Sequence, residues 1–216
     1  MNKKLIGLII GLVLVIGIVS LIVYQSNKNE IDYLVLVNKQ NKLPDDWEEK
    51  VKLSEAKNAW NETIKVEKIA LKHYWKLSDE LKKEGVEIIL DSSYRSVKEQ
   101  QDLWKDFEKK YGIEYVKKYV AVPGYSEHHT GLAIDVVIKK DGKLIEENDD
   151  MIKEREIFAK VHKKLAKHGF ILRYPEGKDN ITGYSYEPWH FRYVGKKVAK
   201  EIAKKDITFE EYLEKK

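Results

Sequence analysis

The sequence predicts an α+β protein: a small central antiparallel sheet flanked by helices, preceded by one transmembrane helix. Three observations predict it. An uncharged apolar run opens the chain, helical and strand-like patterns then alternate, and 43% of the 216 residues are hydrophobic, enough for a core of ordinary size. No internal repeat and no low-complexity tract interrupts the pattern, and no glycine-rich loop follows a strand as a nucleotide site would require.

The opening run, Leu5 to Tyr24, is LIGLIIGLVLVIGIVSLIVY. About 20 uncharged residues in a helix match the thickness of a bilayer core. Lys3 and Lys4 precede it, which places the N-terminus in the cytoplasm and the body of the chain outside. A cleaved signal peptide competes with this reading, but its apolar region is shorter, and no A-x-A pattern follows Ser20. The anchor reading is favoured. Residues 1–29 then form a cytoplasmic stub, anchor and linker, and residues 30–216 an external domain.

Within that domain Ile31–Val37 alternates like a strand. Val66–Lys83 carries Val66, Ile69, Ala70, Tyr74, Leu77 and Leu81 at helical spacing, and Gly85 ends it. Val86–Leu90 reads as a strand, Val97–Lys109 and Ile113–Tyr119 as helices. Leu132–Ile138 reads as a strand that ends at Lys140-Asp141-Gly142. Glu154–His168 is a predicted helix closed by Gly169. Phe170–Arg173 and Trp189–Val194 are strand candidates, and Gly195–Lys205 a helix. Lys143–Glu156 is too charged to place and is expected as a mobile loop near the cleft.

Charge and composition exclude several classes. The 40 basic and 36 acidic residues are mixed and leave a net charge of only +4, so no clustered basic face for nucleic acid is indicated. There is no cysteine, which excludes disulfides, a thiolate metal site and a lipoprotein anchor. Without thiols, a zinc site must be built from imidazole and carboxylate.

Two clusters supply those groups. One is Ser126-Glu127-His128-His129-Thr130-Gly131-Leu132-Ala133-Ile134-Asp135, the other Glu187-Pro188-Trp189-His190. A catalytic zinc keeps three protein ligands and one open position, a count that two histidines and one carboxylate meet. Gly131 permits a turn back into the strand, where small Ala133 shares a face with Asp135 and leaves room beside a metal. Pro188 limits regular structure, so Glu187 and His190 leave a loop entering a strand. That spacing lets a glutamate approach a water activated by zinc and act as its base.

The pattern S-x-H-x-x-G-x-A-x-D, followed about fifty residues on by E-x-W-H, resembles the VanY-type D-alanyl-D-alanine carboxypeptidases. These share a zinc peptidase group, of the hedgehog/D-Ala-D-Ala peptidase type, with VanX dipeptidases and the LdcB L,D-carboxypeptidase. The likeness runs from about Tyr33 to Gly195, through Ser92-Ser93-Tyr94-Arg95-Ser96 and Gly169-Phe170-Ile171-Leu172-Arg173-Tyr174-Pro175. It implies Zn2+ held by His128, Asp135 and His190, with Glu187 as general base. It also implies substrate contacts from Arg95 and Gln100. A guanidinium suits either a terminal carboxylate or a developing oxyanion, so Arg95 is also a catalytic candidate. Ser126 is a further candidate, either on substrate or orienting His128; Arg173 is a further candidate for a substrate contact or for shaping the cleft wall, as is Tyr125.

His129 is expected to point away from the metal. His73, His162 and His168 are expected to pack or face solvent, and Trp189 to pack beneath the site. Trp47, Trp60, Trp75 and Trp104 are expected in the core or cleft lining.

The resemblance implies removal of D-alanine from peptidoglycan stem peptides on the extracellular face of a bacterial cell membrane. Pentapeptide (D,D) and tetrapeptide (L,D) trimming share this chemistry. The D,D activity is favoured over L,D. A dipeptidase for the cytoplasmic free dipeptide conflicts with the anchor. A non-catalytic zinc module has no use for Glu187.

Overall fold

The computed structural model describes residues 15–17 and 30–215. Val15–Gly17 are helical, but the rest of the Leu5–Tyr24 segment lies outside the described residues. Among those described, no helix is long and apolar enough to cross a membrane.

Two sheets organise the domain. The smaller is an antiparallel hairpin of β1 (Leu53–Lys57) and β2 (Thr63–Glu67), turned by Asn58, whose side-chain oxygen accepts from the backbone N–H of Trp60 and Glu62. The larger is antiparallel, in the order β3 (Glu87–Leu90), β4 (Ala133–Lys140), β7 (His190–Tyr193), β6 (Phe170–Leu172). A short β5 (Lys143–Ile145) pairs with the far end of β4. Strand β4 is central: its first half pairs with β7 and its second with β3.

Helices cover this sheet. Helix α1 (Trp47–Lys50) is a single turn that buries Trp47, whose indole N–H donates to the Thr130 carbonyl. Helix α2 (Lys68–Lys83) buries Ala70, Leu71, Tyr74, Leu77 and Leu81, a stripe at helical spacing. Tyr74 donates from its hydroxyl to the Ile88 carbonyl and fixes α2 to β3. Helices α3 (Val97–Tyr111) and α4 (Ile113–Tyr119) form a hairpin beside the sheet, and α5 (Asn148–Lys153) follows β5. Helix α6 (Arg155–His168) ends at Gly169, in the left-handed conformation. The one-turn α7 (Asp179–Thr182) precedes β7. Helices α8 (Lys196–Lys205) and α9 (Phe209–Glu214) close the chain over a second core of Ile171, Val194, Ala199, Ile202 and Phe209.

Several expectations change. Ile31–Val37 is not a strand: the Tyr33 and Val35 carbonyls accept from the buried Arg192 guanidinium, not from a neighbouring strand. The helix predicted from Val66 starts at Lys68, because Glu67 caps it, accepting from Ile69 and Ala70 N–H at 2.8 Å each. Lys143–Glu156 carries β5, α5 and the first residues of α6, not an unstructured loop. Trp60 and Trp75 are 45% and 46% exposed and belong neither to the core nor to the cleft.

Gly131 links the hairpin to the larger sheet. Its φ is +68°, and a Cβ there would lie 2.9 Å from Leu53 Cδ2 and 3.3 Å from the Glu67 nitrogen. Left-handed backbone alone costs a side-chain-bearing residue about 1–2 kcal/mol. Gly131→Ala is therefore expected to lower stability by at least about 2 kcal/mol once the crowding is added. Denaturant titration checks this, and an unchanged midpoint contradicts it.

Candidate metal centre and active-site cleft

Strand pairing supplies half of the site. Asp135 and His190 are register partners across β4 and β7, so their side chains leave the same face of the sheet. His128 arrives from a 3-10 turn, Glu127–Thr130, that feeds β4 through Gly131. Ser126 caps this turn by accepting from His128 N–H at 3.3 Å, and its side chain also lines the cleft. The Thr130 hydroxyl donates to the Glu127 carbonyl at 2.6 Å and accepts from Leu132 N–H, which locks the turn.

Hydrogen bonds around the rings fix their tautomers. His128 Nδ1 lies 2.7 Å from the Ser93 carbonyl, which can only accept, so Nδ1 carries the proton. The lone pair of Nε2 then faces Asp135 Oδ2, 3.2 Å away. His190 Nε2 lies 3.3 Å from Glu127 Oε2 and donates to it. That leaves His190 Nδ1 facing Asp135 Oδ1 at 2.8 Å. Oδ1 is buried, and this ion-pair contact is its partner only while Nδ1 is protonated; no other hydrogen bond satisfies it among the described residues.

When His190 Nδ1 gives up its proton, it and Asp135 Oδ1 are two acceptors at a separation that a shared cation would bridge. One ligand atom from each of His128, Asp135 and His190 lies within 4.8 Å of the others. Tetrahedral zinc with bonds of about 2 Å puts neighbouring ligand atoms about 3.3 Å apart. The nitrogen, oxygen and nitrogen donors and their spacing therefore fit zinc. Each imidazole also has the outer partner that zinc-binding histidines use: a carbonyl on His128 and a carboxylate on His190.

The electrostatics follow from this crowding. Burial works against ionised Asp135, but His128 and His190 outweigh it and hold its carboxyl well below the usual range. Burial also works against a charge on His190, yet Asp135 and Glu127 on either side push its pKa up to about 10 in the absence of a cation.

Glu187 stands beside the triad without joining it, its Oε2 3.8 Å from His190 Nδ1 and its side chain 30% exposed to the cleft. Burial pushes its carboxyl up to about 7; His190 opposes the rise, while Asp135 and Glu127 add to it. Its loop is pinned where His162 Nε2 donates to the Pro188 carbonyl at 2.9 Å.

The triad opens into a cleft of about 280 Å³ lined by Arg95, Gln100, Ser126, Tyr174, Tyr184, Glu187 and Trp189, among others. Arg95 Nη1 donates to Gln100 Oε1 at 2.8 Å, and Gln100 Nε2 donates to the Ala121 carbonyl at 2.8 Å. The structure thus brings Arg95, Gln100, Ser126 and Glu187 into one cleft with the three metal candidates.

Arg173 is not among them. It is fully buried, donating from Nε to Glu127 at 2.7 Å and from both terminal nitrogens to Glu210. A guanidinium facing two carboxylates inside the protein has no nitrogen to offer a substrate, so the expected substrate contact is replaced by an internal ion pair.

His129 does turn from the metal, but it is a brace. Its Nε2 accepts from Gly124 N–H at 3.0 Å, so Nδ1 carries the proton and donates to the Arg95 carbonyl at 2.6 Å. Tyr174 and Tyr184 are cleft residues that the sequence reading did not single out. Tyr174 stacks on His190 with centroids 4.8 Å apart, and Tyr184 on Tyr174 at 4.6 Å. Tyr174 stood in the Gly169–Pro175 run that carries the resemblance, and Tyr184 was hinted at only by its proximity to Glu187 in the chain.

Two histidines, one aspartate and a neighbouring glutamate in a cleft of an α+β domain define a mononuclear metallopeptidase. The profile described as VanY, D-alanyl-D-alanine carboxypeptidase, matches residues 63–196, and the chain belongs to this family of zinc carboxypeptidases. The chain is 46% identical over 130 residues to the bifunctional D-Ala-D-Ala dipeptidase and carboxypeptidase VanXYC of Enterococcus gallinarum. That match covers 58% of this chain and 66% of VanXYC, about two thirds of the relative's length. Among solved structures, the D,D-pentapeptidase VanY in complex with Zn(II) superposes with a TM-score of 0.68 at 30% identity, covering 85% of this chain and 99% of that one. The LD-carboxypeptidase LdcB superposes with a TM-score of 0.70 at 37% identity, covering 83% and 84%.

Because zinc must displace the proton that His190 otherwise holds, its apparent affinity is expected to fall as pH is lowered from about 8 to about 6, by up to about tenfold per unit. Chelator competition across that range checks this, and a flat profile contradicts the assignment of His190 as ligand.

Proposed function

We propose that this chain removes the C-terminal D-alanine from peptidoglycan stem peptides ending in D-alanyl-D-alanine, as a D,D-carboxypeptidase outside the cell. The observation that carries the proposal is the placement of Glu187 at the mouth of the His128–Asp135–His190 triad, in the same cleft as Arg95.

Zinc, when held by those three residues, supplies a Lewis acid that polarises the scissile carbonyl and lowers the pKa of a water. Glu187 takes a proton from the attacking water on a carboxylate oxygen and returns it to the amide nitrogen as the C–N bond breaks. Its raised pKa suits both halves of that exchange, since a carboxyl near neutrality can accept and release a proton. Arg95 pairs its guanidinium with the terminal carboxylate or the developing oxyanion. Gln100 fixes the direction of Arg95 from behind. Tyr174 and Tyr184 wall the cleft, and Tyr174 packs its ring against that of His190.

The Leu5–Tyr24 run serves in this reading as a membrane anchor, with the catalytic domain on the outer face, where stem peptides lie. Its length and lack of charge support that role. A second reading, L,D trimming of tetrapeptide stems, draws support from the likeness to LdcB.

Incubation of the domain with pentapeptide, tetrapeptide and free D-alanyl-D-alanine, followed by assay of released D-alanine, separates these readings. Release from the pentapeptide is expected, and release from the tetrapeptide alone would overturn the D,D assignment. Glu187→Gln is expected to keep stoichiometric zinc and to lose about 10²- to 10⁴-fold in kcat. Full turnover by this variant would remove Glu187 from the mechanism.

A further inference from the structure

Behind the metal candidates lies a buried set of charges that the chemistry above does not use. Glu127 is 3% exposed, Arg173 and Arg192 are fully buried, and Glu210 is 7% exposed. Glu127 Oε1 accepts from Arg173 Nε at 2.7 Å and from Arg192 Nη1 at 2.8 Å. Its other oxygen, Oε2, is left for His190 Nε2.

The set continues outward in both directions. Arg173 extends it to Glu210 on α9, whose Oε1 also accepts from Asn38 Nδ2 at 3.2 Å. Arg192 extends it to the Tyr33 and Val35 carbonyls. Two guanidiniums and two carboxylates balance, so the set as a whole carries no net charge. The outer anchors, Tyr33, Val35, Asn38 and Glu210, all fall outside residues 63–196, the part matched by the family profile.

We propose that Glu127 is a positioning residue for the metal ligand His190, and that the segment 33–38 and helix α9 act on the metal site through it by way of Arg192, Arg173 and Glu210.

Geometry gives the physical reason. A carboxylate shared by two guanidiniums cannot rotate, because any rotation of Glu127 breaks a short charge-assisted bond in a buried setting. Its Oε2 therefore stays on His190 Nε2, which keeps the proton on that nitrogen and the lone pair on Nδ1 toward the metal. Glu210 sets the plane of the Arg173 guanidinium by accepting from both of its terminal nitrogens. The phenyl ring of Phe209 lies under both guanidiniums, 5.6 Å from Arg173 Cζ and 5.2 Å from Arg192 Cζ. Helix α9 is held in turn by a capping box of Thr208 and Glu211. None of these α9 groups lines the cleft.

The inference rests on the metal-site reading, and its test keeps the two apart by using zinc alone. The full chain and its Glu127→Gln, Glu210→Gln, Asn38→Ala and Glu214→Gln variants are titrated with zinc by chelator competition, with near-ultraviolet circular dichroism confirming each metal-free fold. Glu127→Gln and Glu210→Gln are expected to weaken zinc binding by about 10- to 100-fold. Asn38→Ala is expected to weaken it less, and Glu214→Gln, on the exposed side of the same helix, not at all. Nitrogen NMR of the His190 ring in the zinc-loaded protein supplies a readout that a merely supporting helix would not move. The proton should reside on Nε2 in the unaltered chain and exchange faster in Glu210→Gln.

Should Glu127→Gln fail to fold, for want of a counter-charge to two arginines, Glu210→Gln and Asn38→Ala carry the test. A folded Glu210→Gln with unchanged zinc affinity and unchanged His190 spectra overturns the proposal. A parent chain that binds no zinc overturns the metal site itself.

Discussion

Cross-strand pairing of Asp135 with His190 is the constraint on which the site depends. Antiparallel register places the two side chains on one face at close range, and everything else is arranged around that pair. His128 is delivered opposite them by a turn that only a left-handed Gly131 can close. A one-residue slip of β7 against β4 would send His190 to the other face, where the core packs. Register is therefore guarded on both sides: Phe191 is fully buried next to His190, and Ile134 next to Asp135. The hydrophobic alternation that stabilises the sheet is the same alternation that aims the candidate ligands.

Energetically, the interior behind the sheet is unusual. Desolvating two guanidiniums and two carboxylates is costly, and pairing them inside a protein does little more than offset that cost. Hydrophobic residues of similar volume would stabilise the fold as well or better. What apolar side chains cannot do is hold a proton on a chosen imidazole nitrogen. The buried charges are better understood as geometry for His190 than as a contribution to stability, and their full satisfaction by hydrogen bonds is what makes such a set tolerable.

Much of this was legible in the chain, and the illegible part has a physical pattern. Helices with an apolar stripe and a glycine stop, α2 and α6, fell within two residues of expectation. The strands carrying Asp135 and His190 were readable from short β-rich runs beside motif residues. The hairpin of β1 and β2 was not read, although T-I-K-V-E alternates, because Glu55, Lys57 and Lys65 face water and weaken the apolar signal, while Glu67 is buried as the cap of α2. Helix α9 was missed despite T-F-E-E, a capping-box signature. Ile31–Val37 misled for the opposite reason. Its pattern suits a strand, but its carbonyls are taken by Arg192, a partner 157 residues away for Val35. Arg173 misled likewise: next to the cleft in sequence, it is drawn inward by Glu127 and Glu210, and no local pattern encodes a long-range ion pair.

The metal side and the substrate side of the cleft share backbone. Arg95 N–H donates to the His128 carbonyl at 3.1 Å, and the next histidine, His129, donates from Nδ1 to the Arg95 carbonyl. The residue proposed to hold the peptide carboxylate is thus clamped, through its own peptide groups, to the turn that carries the candidate metal ligand His128. Burial keeps His129 neutral, which preserves the one-donor, one-acceptor arrangement the clamp needs. Rigid coupling of this kind fixes the distance between the point that grips the substrate and the point that activates the water. A carboxypeptidase that must cut one residue from a chain end requires that distance to be constant. Selection between D,D and L,D ends then falls to the cleft walls rather than to the metal-facing groups.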